Sequence, residues 1–210
     1  MQSKTTDFVA PLGQAGGGRL VFLSGASRIT LRADPMMTDL ARGHFSHPAP
    51  CIEVEEGTLS VHFRHFAGFD QMVFSRAPLG ELRLNVSIPW EIEFRKGVSH
   101  LTADLAQLQL RALDILGGAD RIRLALSEPS GTAYIYASGG ISQGEIRAPA
   151  TAGIRVQISG GSSNLNFENQ RFGAIGGETR LETPDFESAI GRYDICIAGG
   201  TSNLTIGRKE

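Results

Sequence analysis

Two closely spaced histidine pairs are the residues of this sequence whose types and spacing best suit metal chemistry. Both pairs have the form His-x-x-His, and they comprise His44, His47, His62 and His65. If the fold brought the pairs together, their imidazole nitrogens could ligate zinc, with Glu53 or Asp70 as a further ligand. On a strand, however, residues three apart point to opposite faces, which separates His62 from His65. We therefore predict surface or loop histidines and no metal site.

Carboxylates near the predicted strands could serve a polysaccharide-cleaving enzyme, which needs two acidic groups flanking the scissile bond. The candidates are Asp104, Asp114, Asp120 and Asp194. Aspartates in such places more often belong to solvated faces and turns. We therefore predict that the protein is not an enzyme and has no catalytic residue.

Glycine clusters and a recurrent serine are the remaining candidates for chemistry. The glycine-rich run at residues 13–18 lacks the Lys-Ser/Thr of a phosphate-binding P-loop, and no Gly-x-Gly-x-x-Gly follows a strand and opens a helix. Serine recurs two residues after several Gly-Gly pairs, whereas a nucleophilic serine occurs once, beside a base. We predict that the glycines form corners, that the serines form side-chain ladders, and that no cofactor binds.

Charge, length and composition exclude several classes of protein. The 210 residues carry 20 Lys and Arg against 22 Asp and Glu, without the basic excess of a charge-driven nucleic-acid binder. Cys51 and Cys196 are the only cysteines, which argues against a disulfide framework. No apolar run approaches the ~20 residues that span a bilayer, and no secretory signal is visible. These features predict a soluble, cytoplasmic protein without an integral membrane segment.

A repeat organises most of the chain and accounts for its 26 glycines. Apolar residues stand five and three positions before an anchor glycine, and again four and six positions after it. The six strongest copies are anchored at Gly25, Gly97, Gly118, Gly140, Gly161 and Gly200. In these copies every such position is apolar except Gly144. With weaker copies at Gly57, Gly80 and Gly177, the period is about 21 residues, which is typical of solenoid proteins.

Each repeat has the pattern of two strands joined by a glycine bend. Residues two apart on a strand share a face, so each apolar pair faces one side. The step from the first pair to the second is odd, and we attribute the change of phase to the glycine pair, because glycine forms bends and bulges easily. The sequence therefore predicts an all-β, single-domain β-solenoid over residues 19–207, preceded by a flexible segment at residues 1–18.

Two segments depart from the simple repeat. The segment Asp34–Pro50 matches no copy, and we predict a short helix from Asp34 to about Arg42 and a loop over His44–Pro50. This insertion could cover an open end of the stack. Leu105–Leu116 has a helix-forming composition, but its leucines alternate with polar residues, which indicates strand and coil.

The stretch from Pro89 to Ile206 resembles the toast-rack domain, the C-terminal domain of LiaF-like bacterial proteins. The matching motifs are Pro89-Trp90-Glu91-Ile92, Ala103–Leu105, Ser138-Gly139-Gly140, Gln170-Arg171-Phe172-Gly173-Ala174, Gly176-Gly177-Glu178-Thr179 and Arg192-Tyr193-Asp194-Ile195. Ser24–Arg28 is similar to the N-terminal part of uncharacterised bacterial homologues with that domain. The resemblance implies a single-sheet β-helix-like fold and a place in bacterial envelope-stress systems, and it carries over no catalytic residue.

Two classes of function remain open. The first is a non-enzymatic bacterial interaction or scaffold module, which the resemblance links to the cell-envelope stress response. The second is a carbohydrate-binding or carbohydrate-acting β-helix protein of the adhesin type.

A partner is predicted at the last repeat. Ile195–Ile206 carries all four apolar columns and is followed by only four residues, as if it were an open end of the stack. We predict that a protein partner or a second copy of the chain covers this terminal coil. The alternative is a monomer in which a loop such as Thr183–Arg192 shields it.

Overall fold

The computed structural model describes residues 5–63 and 79–209, and every regular element within these ranges is a β-strand. The strands are β1 (Thr5–Ala10), β2 (Gly18–Phe22), β3 (Ala26–Asp34), β4 (Ala41–Ser46), β5 (Cys51–Glu55), β6 (Thr58–His62), β7 (Gly80–Asn85), β8 (Trp90–Phe94), β9 (Val98–Asp104), β10 (Leu110–Ile115), β11 (Ala119–Ala125), β12 (Thr132–Ala137), β13 (Ile141–Ala148), β14 (Gly153–Ile158), β15 (Ser162–Phe167), β16 (Gln170–Ile175), β17 (Thr179–Glu182), β18 (Arg192–Ile197) and β19 (Thr201–Arg208). The predicted all-β fold class is confirmed. These ranges contain no helix long and apolar enough to cross a membrane.

The strands form two sheets, and each strong repeat contributes one strand to each of them. The ten-stranded sheet has the order β1-β4-β7-β3-β9-β11-β13-β19-β15-β16, and the nine-stranded sheet has the order β17-β14-β18-β12-β10-β8-β2-β6-β5. Strand pairs such as β8–β9 and β10–β11 are therefore coils, and neighbouring coils pair in parallel. The single sheet implied by the toast-rack resemblance is wrong, because each glycine corner carries the chain from one sheet to the other.

The apolar columns of the repeat form one continuous core between the sheets. Every column position in the six strong copies is buried, including Gly144. In the last copy Ile195, Ile197, Leu204 and Ile206 are each at most 1 % exposed. Both strands of each coil therefore face the same interior, as the sequence predicts.

The change of phase within a coil occurs at a residue with a left-handed backbone. The prediction that the glycine pair causes it is wrong. This residue lies three positions after the anchor, and its φ is between 51° and 56° in all six strong copies. The six are Arg28, His100, Arg121, Gln143, Asn164 and Asn203. Between β11 and β13, Asp120 pairs with Ser142 and Ile122 with Gly144, so the register skips Arg121. The skipped residue bulges outward and turns the following apolar pair inward.

Glycine is required at the corners because successive coils approach there through backbone atoms. A Cβ on Gly199 would lie 2.4 Å from the nitrogen of Gly140, and a Cβ on Gly117 would lie 2.7 Å from the nitrogen of Gly97. Among the six anchors only Gly161 has a positive φ, of 76°. The glycine pairs therefore permit close stacking, whereas the left-handed residues supply the irregular backbone.

The coils do not stack in the order of the sequence. The last repeat, β18–β19, lies between β12–β13 and β14–β15, and β2–β3 likewise lies between β6–β7 and β8–β9. Ile195–Ile206 therefore has a coil on each side. The predicted open end at this repeat is wrong, and so is the reason for expecting a partner or self-association through the terminal coil.

Antiparallel strands cover both ends of the stack. At one end β4 pairs with β7, β5 pairs with β6, and β1 pairs with β4. At the other end β16 pairs with β15 and β17 pairs with β14. The chain thus supplies its own cover at each end of the parallel core.

Of the segments that depart from the simple repeat, Asp34–Pro50 differs from expectation and Leu105–Leu116 does not. The helix predicted from Asp34 to about Arg42 is wrong, and His44 lies in strand β4 instead of a loop, because Ala41–Ser46 alternates buried and exposed residues. Thr5–Ala10, within the segment predicted to be flexible, is strand β1 and pairs with β4. The insertion nevertheless covers one end of the stack, as proposed. Leu105–Leu116 is strand and coil as predicted, with β10 at its centre.

Candidate ligand-binding faces

The predicted histidine pairs are not brought together. His44 lies on β4 of the ten-stranded sheet, with its Nδ1 2.5 Å from the Asp7 carboxylate of β1, whereas His62 lies on β6 of the nine-stranded sheet. His65 and Asp70 lie outside the described residues. Within residues 5–63 and 79–209 there is no group of three or more His, Cys, Asp or Glu side chains that could hold a metal ion.

The four candidate aspartates lie on different strands and do not form cross-strand pairs with one another. Asp104 and Asp120 belong to β9 and β11 of the ten-stranded sheet, and Asp114 and Asp194 belong to β10 and β18 of the nine-stranded sheet. β12 separates the second pair. Asp194 accepts a hydrogen bond of 2.5 Å from Arg155, which raises the pKa of that guanidinium.

The glycine-rich loop near the N-terminus borders a cavity of about 550 Å³ without offering charge for a phosphate. Its lining residues are Pro11–Gly17, Val54, Glu56 and Gly57, none of which is basic. The recurrent serines behave as predicted, since Ser99 donates to the Ser27 hydroxyl at 2.9 Å and Ser202 donates to Ser142 at 3.4 Å. The predicted serine ladder is therefore present at these two steps.

The outer face of the ten-stranded sheet carries a ladder formed by the left-handed residues. Arg121 Nη1 lies 2.6 Å from His100 Nε2, and Arg121 Nε donates to Gln143 at 3.3 Å. Further along, Asn164 donates to Asn203 at 2.6 Å. A shallow groove of about 610 Å³ follows this ladder. In these contacts the ladder side chains use hydrogen-bonding groups on one another.

The outer face of the nine-stranded sheet carries an acidic–tyrosine patch, which we define as Glu91, Glu93, Asp114, Tyr134 and Tyr136. These residues lie on the adjacent strands β8, β10 and β12. Their register places Asp114 opposite Glu93 on one side and opposite Tyr136 on the other. Tyr134 is 56 % exposed, the highest exposure of the large apolar or aromatic side chains on this sheet's central strands. The patch combines an aromatic surface with three neighbouring carboxylates.

The carboxylates of the patch differ in how their charge is compensated. Burial would raise the pKa of Glu93, but hydrogen bonds from Arg19 at 2.6 Å and Arg95 at 2.9 Å outweigh it and lower that pKa. Burial also raises the pKa of Asp114, and the charges of Glu93 and Glu91 raise it further. The positive charge of Arg19 opposes this increase without cancelling it, so the folded protein disfavours the ionised form of Asp114.

Sequence reasoning singled out Asp114 but missed the tyrosines beside it. Tyr134 and Tyr136 alternate with buried Ala133 and Ile135, so the pattern of β12 does place both rings outward. The sequence does not indicate which strands lie on either side of β12. The arrangement therefore depends on the stacking order of the coils.

Comparison with known protein families and with characterised proteins finds no match. Among solved structures, a "putative cell adhesion protein" from Clostridium sporogenes is similar in fold, with a TM-score of 0.72 at 15 % identity over 99 % of this chain and 100 % of that one. A "putative adhesin" from Bacteroides fragilis is 13 % identical over 98 % of this chain and 97 % of that one, but its TM-score of 0.31 supports no argument. The first similarity supports the all-β repeat fold, and the toast-rack resemblance stays a prediction.

Proposed function

We propose that this chain is a non-enzymatic bacterial interaction module of the adhesin-like kind, which binds its partner on the outer face of a sheet. One observation carries the proposal: both ends of the stack are covered by the chain's own antiparallel strands, while the outer faces remain exposed. Edge strands are the usual sites of strand pairing between chains. Among the described residues the edges that remain are those of the four covering strands β1, β5, β16 and β17, so the broad faces are the larger surfaces for recognition.

The rigid stack suits a scaffold role. The core runs unbroken through all the coils, and the corners pack glycine against glycine. A surface built on such strands keeps its side chains at regular spacings, about 4.8 Å from strand to strand. A link to the envelope-stress response rests on the toast-rack resemblance alone and forms part of the proposal.

Carbohydrate binding is the second candidate, and the acidic–tyrosine patch favours it. Exposed aromatic rings offer an apolar surface with a polar edge. Neighbouring carboxylates accept hydrogen bonds from hydroxyl or amine groups. The name of the Clostridium protein with the similar fold agrees with a role in adhesion.

A paired capture experiment tests both candidates. The full chain is immobilised, and binding to bacterial proteins and to a glycan array is compared between wild type and one variant on each face. Arg123→Glu changes the ten-stranded face, where this side chain is 79 % exposed, and Tyr134→Ala changes the nine-stranded face. We expect one variant to lose the partner while its melting temperature stays unchanged.

Two results contradict the proposal. Binding that survives both substitutions places the partner away from the faces. Cleavage of a glycan by the wild type, detected as shortened products, makes the chain an enzyme.

A further inference from the structure

Two unpaired strand edges lie side by side at the β16–β17 end of the stack. β16 is the last strand of the ten-stranded sheet, and β17 is the last strand of the nine-stranded sheet. The two strands follow each other in the chain and are joined by residues 176–178. Among residues 5–63 and 79–209, β16 pairs only with β15 and β17 only with β14. Backbone donors and acceptors on their outer sides can therefore pair with further strands.

The core is incompletely covered at this end. Phe172 and Ile175 of β16 and Leu181 of β17 pack against the core but are only partly buried. The apolar side chains of the inner coils are almost completely buried, because each of those coils has a neighbour on both sides. One more strand on each edge would remove the remaining apolar surface from water.

A buried hydroxyl group on the same edge lacks a partner. Thr179, the first residue of β17, is 8 % exposed, and its Oγ1 has no hydrogen-bond partner among the described residues. In the inner coils, by contrast, Ser162 and Thr201 lie opposite each other on adjacent strands and share a hydrogen bond between their hydroxyl groups. A buried polar group without a partner is unfavourable, so a strand that brings one to Thr179 would be stabilised.

A glycine in β16 has no explanation within the described chain. A Cβ on Gly173 would have no described heavy atom within 4 Å, and the φ of this residue is not positive. Neither close packing nor backbone conformation therefore requires glycine here, unlike at corner residues such as Gly199. The missing side chain leaves open space on the exposed strand, beside Arg171.

We propose that a second copy of this chain pairs with the β16–β17 end about a two-fold axis through Phe172 and Thr179. These residues lie at one level of the stack, since Phe172 pairs with Leu165 and Thr179 with Ile158, the two apolar positions nearest one corner. An axis perpendicular to the sheets pairs β16 with β16 and β17 with β17 of the copy, both antiparallel. Such a contact closes on itself and does not extend into a fibre.

This register brings complementary side chains together. Thr179 lies opposite Thr179 of the copy, where the Cβ atoms of a cross-strand pair are about 5 Å apart and the hydroxyl groups can share a hydrogen bond. Arg180 lies opposite Glu178 of the copy, and the symmetry repeats this pair. Arg171 lies opposite Gly173 of the copy, where no side chain obstructs it. The two-fold contact therefore accounts for both the unpaired hydroxyl and the glycine.

The charged residues can make these contacts without losing the ones they have. Within the chain, Arg180 lies 3.4 Å from Glu182, and Glu178 accepts a hydrogen bond of 2.5 Å from Gln157. A guanidinium has five N–H donors and a carboxylate has two oxygens, so each group has capacity for a second partner. Because these side chains are exposed, the pairs favour one register and add little affinity.

The opposite end of the stack suits a second copy less well. The edge strand β5 carries Glu53 and Glu55 and has no basic residue. Pairing β5 with β5 of a copy would bring negative charges together, which is unfavourable between adjacent strands. At the β16–β17 end, both signs of charge are present and alternate along β17.

The size of the end predicts a weak dimer. A strand of this length extends about 20 Å, and two sheets about 10 Å apart, with their outer side chains, are about 20 Å thick. The two copies together would bury roughly 800 Å², which is below the roughly 1,200 Å² of most stable complexes. We therefore expect a dissociation constant in the micromolar range.

Sedimentation equilibrium of the full chain, between about 1 and 500 µM, tests the association. We expect a reversible equilibrium between 22.5 kDa and twice that mass. A chain that stays monomeric over the whole range overturns the proposal. Species that grow beyond the dimer overturn the two-fold arrangement, because they require a contact that does not close.

Exchanging charges tests the register. Glu178→Arg and Arg180→Glu each place like charges opposite each other twice, whereas the double variant restores opposite charges. We expect each single variant to raise the dissociation constant at least about tenfold, and the double variant to stay within about threefold of wild type. Glu182→Arg is the matched control, since this register places it opposite Gly176 of the copy, and it should also stay within about threefold.

Gly173→Arg tests the gap on β16. The new side chain would lie opposite Arg171 of the copy, so the dissociation constant should rise at least about tenfold. In dilute solution its melting temperature should match that of wild type, because the space around Gly173 is open within the described chain. A dimer that tolerates Gly173→Arg contradicts the pairing of β16.

The remaining outcomes distinguish the register from the association itself. If the double charge variant dimerises as poorly as the single variants, the pairing of Arg180 with Glu178 is overturned. If Glu182→Arg weakens the dimer as much as Glu178→Arg, the axis lies at another residue of β17. The contact leaves the outer faces of both sheets free, so its failure would not affect the proposed recognition on those faces.

Discussion

Substituting a corner glycine gives the sharpest test of how the coils stack. In Gly199→Ala the new Cβ would lie 2.4 Å from the nitrogen of Gly140, and 2.5 Å from the carbonyl carbon of Gly139. Carbon and nitrogen atoms that are not bonded normally stay more than about 3.4 Å apart. The contacting atoms are backbone on both sides, so no side chain can move away, and two coils have to separate locally.

The expected cost follows from the kind of atoms that clash. Overpacking a well-packed region costs about 1–3 kcal/mol, and a clash with rigid backbone belongs at the upper end of that range. For a chain of this size each kcal/mol lowers the melting temperature by about 2–4 °C. We therefore expect Gly199→Ala to lower the melting temperature by roughly 6–12 °C in a thermal melt followed by circular dichroism.

Gly176→Ala is the matched control. A Cβ at Gly176 has no heavy atom within 4 Å, and its φ is not positive. Alanine there should be neutral or slightly stabilising, because it reduces the freedom of the unfolded chain. Equal melting temperatures for the two variants would refute the reasoning that glycine serves close stacking at the corners.

The other predictions concern the core, the strand order and one carboxylate. Ile158→Asp buries an uncompensated charge and should cost more than about 4 kcal/mol in urea unfolding, whereas Asn203→Ala on the exposed ladder should cost on the order of 1 kcal/mol. Thr205→Pro should cost about 3 kcal/mol or more, because β19 is an interior strand, and a mere change of oligomeric state would contradict the strand order. Asp114→Asn should raise the melting temperature at pH 7 and lose that gain near pH 3.

The pattern of apolar residues around the glycine anchors predicts much of the fold, and the columns of Ile, Leu and Val predict the core correctly. The sequence does not carry the order of the coils, because the copies are so alike that β18–β19 could pair with any parallel neighbour. The change of phase between the two apolar pairs of a repeat is expected at glycine, because glycine adopts a left-handed backbone most easily. The structure places it at residues such as Arg121 and Gln143, whose polar side chains stand outside and pair along the stack.

The site was harder to predict than the fold for a related reason. Inward-facing positions are apolar in each repeat, so they can be recognised from the sequence. Outward-facing positions vary in residue type from coil to coil. Tyr136, Asp114 and Glu93 lie 22 and 21 residues apart in the sequence, and they meet only because β8, β10 and β12 are consecutive in the sheet. Two outward-facing aromatic residues on one strand, such as Tyr134 and Tyr136 on β12, depart from the repeat. This departure is the sequence signal that could have indicated the patch.

Asp114 makes the stability of the folded chain depend on pH. Because its pKa is raised in the folded protein, the folded state holds its proton at a pH where the unfolded chain has already lost it. Stability therefore falls as the pH rises from the unfolded value near 3.8 through the raised folded value, and the penalty is fully present above that. Asparagine removes the penalty, which is why Asp114→Asn should stabilise the free protein at pH 7 but not near pH 3. A gain in melting temperature for Asp114→Asn that is equal at pH 7 and near pH 3 would contradict this account of the carboxyl group.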